Sequence, residues 1–458
     1  MIEGVAEDRT SLLLAMGLGG ILALFLALHP PLQVGAGFLA VAVALLVFVN
    51  RRAAFYLIIP AVAISPEMPL LGLSVRVEDL LMIPLTVGWL AHVCVTKGRR
   101  RTPLDRVLIA YLAVALVGTV WGGYLGTAHF ATLDKYVSAP FHLLKRFEFA
   151  FLFFILVDTL ETPGEVRRYT YVLMASLVAL SGFALVEFLS NQHIALAPAG
   201  APVHEPGLAS MINVALALSL LRVARPPAKV LLSAVILFSV AVLPLTLGRN
   251  FIATTGLVLL YVGLFQQRWI LALLPVPWLM GAYLYPQHVV ERVLTFEQAF
   301  APDITGFQTQ GAALISRVVS PGQYSLLALG YSPLVGFGLG SIPLGSMDSE
   351  YATQIFYTGL LGLAVFVILG ARLFRIAREA VRAARDPVHV GLARGFQLVL
   401  AAYAIHSIFS PSISATRGGE IFFVAVGLLC VLHRSLTQAP GETTAGASEF
   451  GRSEATRK

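Results

Sequence analysis

Residues Ile315–Leu363 read ISRVVSPGQYSLLALGYSPLVGFGLGSIPLGSMDSEYATQIFYTGLLGL, and they complete the longest polar loop of the chain. This loop runs from Gln287 to Glu350, about 64 residues, without an apolar stretch of membrane length. Loops longer than about 15 residues inside a compact architecture are usually functional or disordered. This loop is rich in Leu, Ile, Val, Phe and Tyr, which argues against disorder. We therefore expect a folded cap that carries most of the function.

The composition of the whole chain is that of a membrane protein. Its 458 residues are 57% hydrophobic and only 12% charged, with a mean hydropathy of +0.80, whereas soluble proteins carry about 25% charged residues. Apolar runs recur along the chain, and residues 1–436 are read as one polytopic transmembrane domain. The first run, Ser11–Leu28, is a span rather than a cleavable signal peptide. Residues 437–458 are rich in Gly, Ser, Thr and Glu, which predicts a disordered tail.

The predicted fold class is an all-α polytopic membrane protein. A spanning helix needs about 20 residues, and we predict fourteen spans; because some are short, twelve or thirteen stay open as alternatives. With a cytoplasmic amino terminus, alternating loops place 24 of the 32 Lys and Arg residues inside, as the positive-inside rule requires. The remaining eight lie outside, and they are Arg76, Lys135, Lys145, Arg146, Arg249, Arg292, Arg317 and Arg417. The loop 287–350 is then extracytoplasmic, and both chain termini are cytoplasmic.

Several classes of function are excluded by the residues. The net charge is +7, but the basic segment 372–394 is explained by anchoring beside anionic lipid, so no nucleic-acid partner is expected. Cys94 and Cys430 are the only cysteines and form no disulfide framework or metal site. The chain has no HExxH, Walker or GxSxG motif, which argues against zinc chemistry and ATP hydrolysis. We expect neither a metal nor a cofactor.

Two arginines are candidates for function. Arg249 interrupts the apolar sequence LPLTLGRNFIATTG, where Gly248 and Asn250 indicate a helix break that aims the side chain inward. A lone arginine within a membrane is costly and tends to be functional; the alternative is an arginine that snorkels to the outer interface. Arg317 follows the apolar Ala-Leu-Ile of the long loop. It is either a second functional arginine or an ordinary surface charge.

A glycine-rich run lies later in the loop. It spans Gly336-Phe-Gly-Leu-Gly340-Ser341 and superficially resembles a phosphate-binding loop. A dinucleotide fingerprint needs a preceding strand and a following helix, and Pro333 and Pro343 flank this run. We reject the nucleotide interpretation and predict a tight glycine turn that brings the backbone close to another segment.

Polar residues stand where the chain returns to apolar sequence. Asp348, Ser349 and Glu350 directly precede the apolar segment Tyr351–Leu373. Acidic residues complement a helix amino terminus, and Asp348 or Ser349 is a plausible N-cap. A carboxylate fixed at a helix start is also well placed for general-base work. Asp348, with Glu350 in reserve, is therefore a catalytic candidate.

Three polar residues follow the thirteenth predicted span or lie within it. His406 lies inside an apolar segment, where the favoured interpretation is a satisfied core histidine. In the alternative, His406 lines an outer substrate-binding cavity together with Arg417 and Glu420.

In this order, the motifs resemble the O-antigen polymerase and O-antigen ligase superfamily of bacterial polysaccharide enzymes. The resemblance covers roughly Leu243 to Leu373. The matching residues are Gly248, Arg249, Arg317, Pro333, Gly336, Gly338, Gly340, Ser341, Asp348, Ser349, Tyr351, Gly359, Leu360 and Gly362.

The resemblance implies a GT-C-like helical fold and a metal-independent glycosyltransferase whose donors are undecaprenyl-diphosphate-linked sugars. It implies that Arg249 and Arg317 hold the donor diphosphate, and that Gly338, Gly340, Ser341 and Tyr351 help to bind substrate. Ligases of the family have a histidine-asparagine pair where this chain has Asp348-Ser349. That departure favours the polymerase branch, whose members extend a glycan on its lipid carrier. The products are O-antigen, which becomes part of lipopolysaccharide, or exopolysaccharide. The implied place is the outer face of the bacterial inner membrane, with a chain-length regulator as a further partner.

The chemistry of the residues agrees with this resemblance. Preorganised arginines stabilise a diphosphate leaving group without a metal, because their fork binds phosphate oxygens bidentately. A ligase is the nearest alternative function. A lipid-linked-oligosaccharide flippase is the alternative from another class, but such transporters favour inverted repeats and midplane sites, and the chain shows no repeat. A third hypothesis, that the protein is a non-catalytic membrane scaffold, does not explain the presence of Arg249.

Overall fold

The computed structural model describes most of the predicted membrane domain. The described residues are 43, 45, 46, 48–65, 68–70, 73–96, 99–129, 133–191, 205–246, 249–284, 325–341 and 349–437. The first predicted span, most of the loop 287–350 and the predicted tail beyond residue 437 lie outside the described residues.

Helices make up nearly all of this part of the chain. In the first half they are α1 (Arg51–Ile64), α2 (Val77–Thr96), α3 (Asp105–His129), α4 (Leu133–Thr159), α5 (Pro163–Asn191) and α6 (Glu205–Leu221). In the second half they are α7 (Pro226–Val242), α8 (Arg249–Phe265), α9 (Val276–Leu284), α10 (325–331), α11 (Glu350–Ala383), α12 (Pro387–His406) and α13 (Thr416–Thr437). Two short 3-10 helices, Leu243–Thr246 and Arg268–Leu273, flank α8.

One small antiparallel hairpin joins α1 to α2. Its strands are β1 (Met68–Leu70) and β2 (Leu73–Val75), with Met68 opposite Val75 and Leu70 opposite Leu73. The hairpin delivers Arg76 to the start of α2.

Seven helices in the described residues are long and apolar enough to cross a membrane. They are Val77–Thr96, Asp105–Tyr124, Pro163–Ser190, Pro226–Thr246, Glu350–Ala383, Pro387–His406 and Arg417–Thr437. Two further apolar helices, Glu205–Leu221 and Asn250–Phe265, are shorter. The prediction of a helical, polytopic membrane protein is thus confirmed at this level, and the total of fourteen spans stays a prediction.

The basic residues divide between two ends of the bundle, as the predicted alternation of helices requires. We call one end the site end; the basic side chains that the structure describes there include Arg76, Lys145, Arg146 and Arg417. These four had been predicted to share the outer side. The opposite end, which we call the arginine end, contains residues that had been predicted to be cytoplasmic, among them Arg52, Arg100, Arg372 and Arg434.

Helix α6 forms the centre of the bundle, and every residue from Pro206 to Leu221 is buried. It packs closely on α12 because Gly391 and Gly395 leave room for its side chains; a Cβ at Gly395 would lie 3.2 Å from Leu216 Cδ2. Small residues at helix contacts are typical of membrane bundles.

Helix α11 is broken at Gly359, whose backbone is left-handed with a φ of 65°. The break frees peptide groups, and the segment 333–338 satisfies them. The four hydrogen bonds are Phe337 N to Phe356 O (2.8 Å), Gly338 N to Tyr357 O (3.0 Å), Leu360 N to Pro333 O (2.8 Å) and Leu361 N to Leu334 O (3.1 Å). Breaks in membrane helices are tolerated where neighbouring groups satisfy the backbone in this way.

The residues 336–340 form a tight turn against this break, which we call the glycine turn. Gly336, Gly338 and Gly340 all have left-handed φ values, of 67°, 83° and 74°. A Cβ at Gly338 would lie 2.7 Å from the Gly118 carbonyl oxygen of α3. The predicted glycine turn with a close backbone approach is confirmed.

Candidate functional site

Glu350 is the first residue of α11 and is completely buried at the site end. Its Oε2 accepts hydrogen bonds from the backbone N–H groups of Ile413 (3.0 Å) and Ser414 (2.9 Å). Its Oε1 accepts from Ser414 Oγ (2.5 Å) and from Gln354 Nε2 (2.8 Å). Four donors therefore fix this carboxylate, which ties the start of α11 to the turn between α12 and α13. The geometry suits positioning, and the predicted role of Glu350 as a reserve base stays a prediction.

Arg146 of α4 approaches the same turn from the other side. Its Nη1 donates to Ile413 O (3.0 Å) and its Nη2 to Ser414 Oγ (2.6 Å). The guanidinium is buried, yet among the described residues no carboxylate lies within ion-pair distance of it. The nearest linked negative charge is Glu350, reached through the Ser414 hydroxyl. The positive charge of Arg146 is therefore not neutralised by a direct ion pair with a described residue, and it lies next to an open space.

That space is a recess of about 280 Å³, including its open mouth. One wall is α4, a second is the glycine turn, and α11 and the turn after α12 complete it. The lining residues are His142, Lys145, Arg146, Phe149, Leu339, Gly340, Tyr357 and Ser414. Two cations and no carboxylate are among these residues, so the recess is suited to an anionic group.

Behind the recess, Arg76 is buried in a network of carboxylates. Its Nη1 lies 2.8 Å from Glu78 Oε1 and its Nη2 lies 2.6 Å from Glu420 Oε1. Ser65 Oγ donates a hydrogen bond to Glu78 as well. Burial alone lowers the pKa of Arg76, but Glu420, Glu78 and Asp79 together raise that pKa above its usual value. The guanidinium is therefore permanently charged.

Lys145 connects this network to the recess. Its ammonium pairs with Asp79, lies 2.9 Å from Glu148 and lies 3.5 Å from Glu420. The carboxylates of Glu78, Asp79 and Glu420 are close enough together to hold a cation. Because Arg76 and Lys145 already pair with all three, we assign these carboxylates to ion pairing.

Arg417 and His406 lie at the site end but outside the recess lining. Arg417 is buried, lies 2.5 Å from Glu205 and donates to Ser65 O (2.8 Å), which joins the starts of α6 and α13. His406 is buried, as the core interpretation expects. Its ring stacks on Phe251 at 4.3 Å, and its Nδ1 is hydrogen-bonded to Ser412 Oγ. Their roles in substrate binding stay predictions.

The residues of the glycine turn and of the first turn of α11 are placed as follows. Gly340 lines the recess, and a Cβ added to it would lie 2.8 Å from His142 Cδ2. Gly338 contacts α3 instead, and Ser341 Oγ donates to its carbonyl oxygen (2.7 Å). Tyr351 points toward α12, where its hydroxyl donates to Ala404 O (3.3 Å). The structure thus brings Gly340 to the recess, whereas Tyr351 contacts α12.

Three predicted site residues are not described at the side-chain level. Arg317 and Asp348 lie outside the described residues, and so does the side chain of Arg249. The backbone of Arg249 begins α8 at the site end, since the next residue, Asn250, donates from Nδ2 to Phe409 O (2.8 Å) just beyond α12.

Sequence reasoning missed the recess. Lys145 and Arg146 were counted among the outer basic residues but were not proposed as site residues, and His142 was not singled out. The signal was present, because ionisable residues next to apolar membrane sequence are functional candidates by default. The dipeptide Lys145-Arg146 stands directly before the aromatic-rich and largely apolar FEFAFLFF of α4.

Comparisons with known proteins leave the family open. No protein-family model matches the chain, and no curated protein matches it. The resemblance to the O-antigen polymerase and ligase superfamily therefore depends on the motifs alone.

Proposed function

We propose that this protein is a membrane glycosyltransferase that polymerises oligosaccharide units carried on a lipid diphosphate of the undecaprenyl type. The observation that supports this function best is the recess lined by Lys145, Arg146 and Gly340. It places two cations beside the glycine turn, which belongs to the motifs that resemble the polymerase family.

The reaction requires stabilisation of a diphosphate leaving group. Glycosyl transfer leaves negative charge on the phosphate oxygens, and fixed cations aimed at that charge lower the barrier. Arg146 is suited to this role because it is held by Ile413 O and Ser414 Oγ before any substrate arrives. A guanidinium also binds phosphate oxygens bidentately. Arg249 and Arg317 remain the arginines that the resemblance implies for the same diphosphate.

Charge asymmetry supports a proposal for the side of the membrane. The four described basic residues of the site end were among the eight predicted outside, and the arginine end carries residues predicted inside. We propose that the recess faces the outer side of a bacterial inner membrane, with both termini in the cytoplasm. Polymerised O-antigen or exopolysaccharide is then made where lipid-linked units are displayed.

A flippase is the second candidate, and the break in α11 favours it, since discontinuous helices are typical of transporters. In transporters, however, the freed backbone groups line a substrate cavity. Here four hydrogen bonds from and to the segment 333–338 close the break at Gly359. The satisfied break is a better match for a rigid enzyme than for a gate.

The test is a reconstitution with purified protein. Lipid-linked oligosaccharide is extracted from cells that lack this gene and is incubated with the protein in vesicles. We expect a ladder of longer lipid-linked glycans. Transfer of single units to a lipid A-core acceptor indicates a ligase instead, and movement of the unaltered lipid across the bilayer indicates a flippase.

The matched variants are Arg146→Ala and Arg375→Ala. Removing a donor that is aimed at developing charge typically lowers the rate 10²–10³-fold, so we expect that loss for Arg146→Ala. Arg375 is 75% exposed at its side chain and pairs with Glu379 on the surface of α11. Its removal should leave the ladder unchanged. If Arg146→Ala is fully active at normal expression, Arg146 does not stabilise the leaving group and the recess no longer supports the proposed function.

A further inference from the structure

The recess contains an imidazole whose ring nitrogens are available. His142 lines the recess and is half-buried. Within the described part of the chain, no group forms a hydrogen bond with its ring. Lys145 and Arg146 follow at positions i+3 and i+4 of α4, so these three side chains share one helix face. One turn of α4 thus presents a proton acceptor and two cations to the same space.

The other groups that face this space are poor proton acceptors. Glu350 lies behind Ser414, and its two oxygens already accept four hydrogen bonds. From α4, Lys145 and Arg146 are cations without a lone pair to offer. From α11, Tyr357 contributes a phenol, which ordinarily titrates near pH 10. An imidazole has an ordinary pKa of about 6.5 and is the usual general base at neutral pH.

On the basis of the proposed function, we propose that His142 is the general base that takes the proton from the attacking sugar hydroxyl in this recess. This proposal gives His142 the role of general base that the sequence had predicted for Asp348 or Glu350. His142 is held at its place by the glycine turn, because Gly340 packs against its ring without a Cβ.

The step balances in atoms and charge. The acceptor hydroxyl oxygen forms a bond to the anomeric carbon of the donor, and the bond from that carbon to the diphosphate oxygen breaks. The electron pair of the broken bond leaves with the lipid diphosphate, next to Arg146 and Lys145. The hydroxyl proton passes to the free ring nitrogen of His142 and is then released to water. The two neighbouring cations favour this release, since like charges repel the imidazolium.

The experiment compares His142→Gln with His92→Gln in the full chain, using the same extracted lipid-linked oligosaccharide. Glutamine keeps a polar side chain of similar length but takes no proton at neutral pH. His92 is an exposed histidine of α2 near the arginine end, so its substitution is the matched control. Binding of undecaprenyl diphosphate, without sugar, is measured for each variant to test whether the recess is intact.

We expect His142→Gln to lower kcat/KM by 10²–10⁴-fold, as for a lost general base, with binding of undecaprenyl diphosphate within threefold of the parent. Burial, and then the charge of Arg146, lower the pKa of His142, so the parent rate should fall only at a pH below the range of a free imidazole, where protonation removes the base. In His142→Gln the residual rate should be independent of pH from 5.5 to 7.5. Free imidazole should restore part of the rate to His142→Ala, which a purely structural role does not predict.

Three outcomes overturn the assignment. If His142→Gln polymerises within threefold of the parent across this pH range, His142 is not the base, while the proposed function stands. If binding and rate fall together, His142 binds substrate and does not act as a base. A parent protein that yields no product from the extracted lipid overturns the proposed function, and the role of His142 with it.

Discussion

Ser414 Oγ lies 2.5 Å from Glu350 Oε1 and 2.6 Å from Arg146 Nη2, so one hydroxyl links a buried carboxylate to a buried guanidinium. The hydroxyl donates to the carboxylate and accepts from the arginine. Helix α4, the start of α11 and the turn between α12 and α13 meet at this point. The link explains how Arg146 is kept buried without a direct carboxylate partner.

The first prediction concerns the stability that Glu350 provides. In Glu350→Gln an NH₂ group replaces one carboxylate oxygen and opposes backbone donors or the Ser414 hydroxyl. Hydrogen bonds to charged groups contribute about 1.5–3 kcal/mol each, so the apparent Tm in detergent should fall by several degrees. The control is Glu379→Gln, because Glu379 is part of an exposed surface pair with Arg375 that contributes about 0–1 kcal/mol. An unchanged Tm with lost polymerisation would restore Glu350 as a base.

The second prediction concerns the Arg76 network. In Arg76→Met the carboxylates of Glu78 and Glu420 remain buried without their arginine. Breaking a buried ion pair in this way costs about 3–5 kcal/mol. Unfolding by heat should show that the double variant Arg76→Met/Glu420→Gln loses less than the sum of the two single variants. Strict additivity would mean that this pair does not interact in the folded protein.

The third prediction concerns the break in α11. A Cβ at Gly359 would lie 2.3 Å from the Leu334 carbonyl carbon, and its φ of 65° is strained for other residues. The left-handed conformation alone costs about 1–2 kcal/mol, so Gly359→Ala should lower both folded yield and Tm. Gly182 of α5 has open space where a Cβ would be, and Gly182→Ala should be neutral or slightly stabilising. Equal behaviour of the two variants would contradict the described contact.

The fourth prediction concerns orientation. Cys94 is exposed and Cys430 is buried, so both are first replaced by serine or alanine. In that background, Ala415→Cys at the site end and Arg101→Cys at the arginine end provide exposed reporters. An impermeant thiol reagent should label the Ala415→Cys protein in intact cells and the Arg101→Cys protein only after permeabilisation. The reverse pattern would place the recess in the cytoplasm.

Local sequence signals predicted the helical membrane fold class and the glycine turn. The asymmetric distribution of Lys and Arg can be counted from the short loops alone. It assigned Arg76, Lys145, Arg146 and Arg417 to the same side of the membrane, and the structure brings these four to the same end of the bundle. The turn at Gly336–Gly340 was predictable because few residues other than glycine tolerate such backbone angles. Both features depend on short stretches of sequence.

The candidate site is formed by contacts between residues that are far apart in sequence, and motif spacing does not predict such contacts. Arg76 and Glu420 are 344 positions apart in sequence yet lie 2.6 Å apart. The break at Gly359 was also missed, because the apolar run from Tyr351 to Leu373 continues through it and hydropathy does not register a change of φ. No motif in the sequence marks His142 as a site residue, and its place in the recess depends on how α4 packs against the glycine turn.

The break at Gly359 also relates the position of the recess to the length of α11. From Glu350 to Arg372 the chain covers 23 residues, about 33 Å of helix at about 1.5 Å per residue, close to the hydrocarbon thickness of about 30 Å. Gly359 comes nine residues after Glu350, about 14 Å along that path. The glycine turn is hydrogen-bonded to α11 at this break, so it packs part of the way along α11 and not at its first turn. Under the proposed function, a lipid-linked donor would reach such a position by lateral diffusion within the bilayer, whereas a water-soluble donor would first have to shed its hydration.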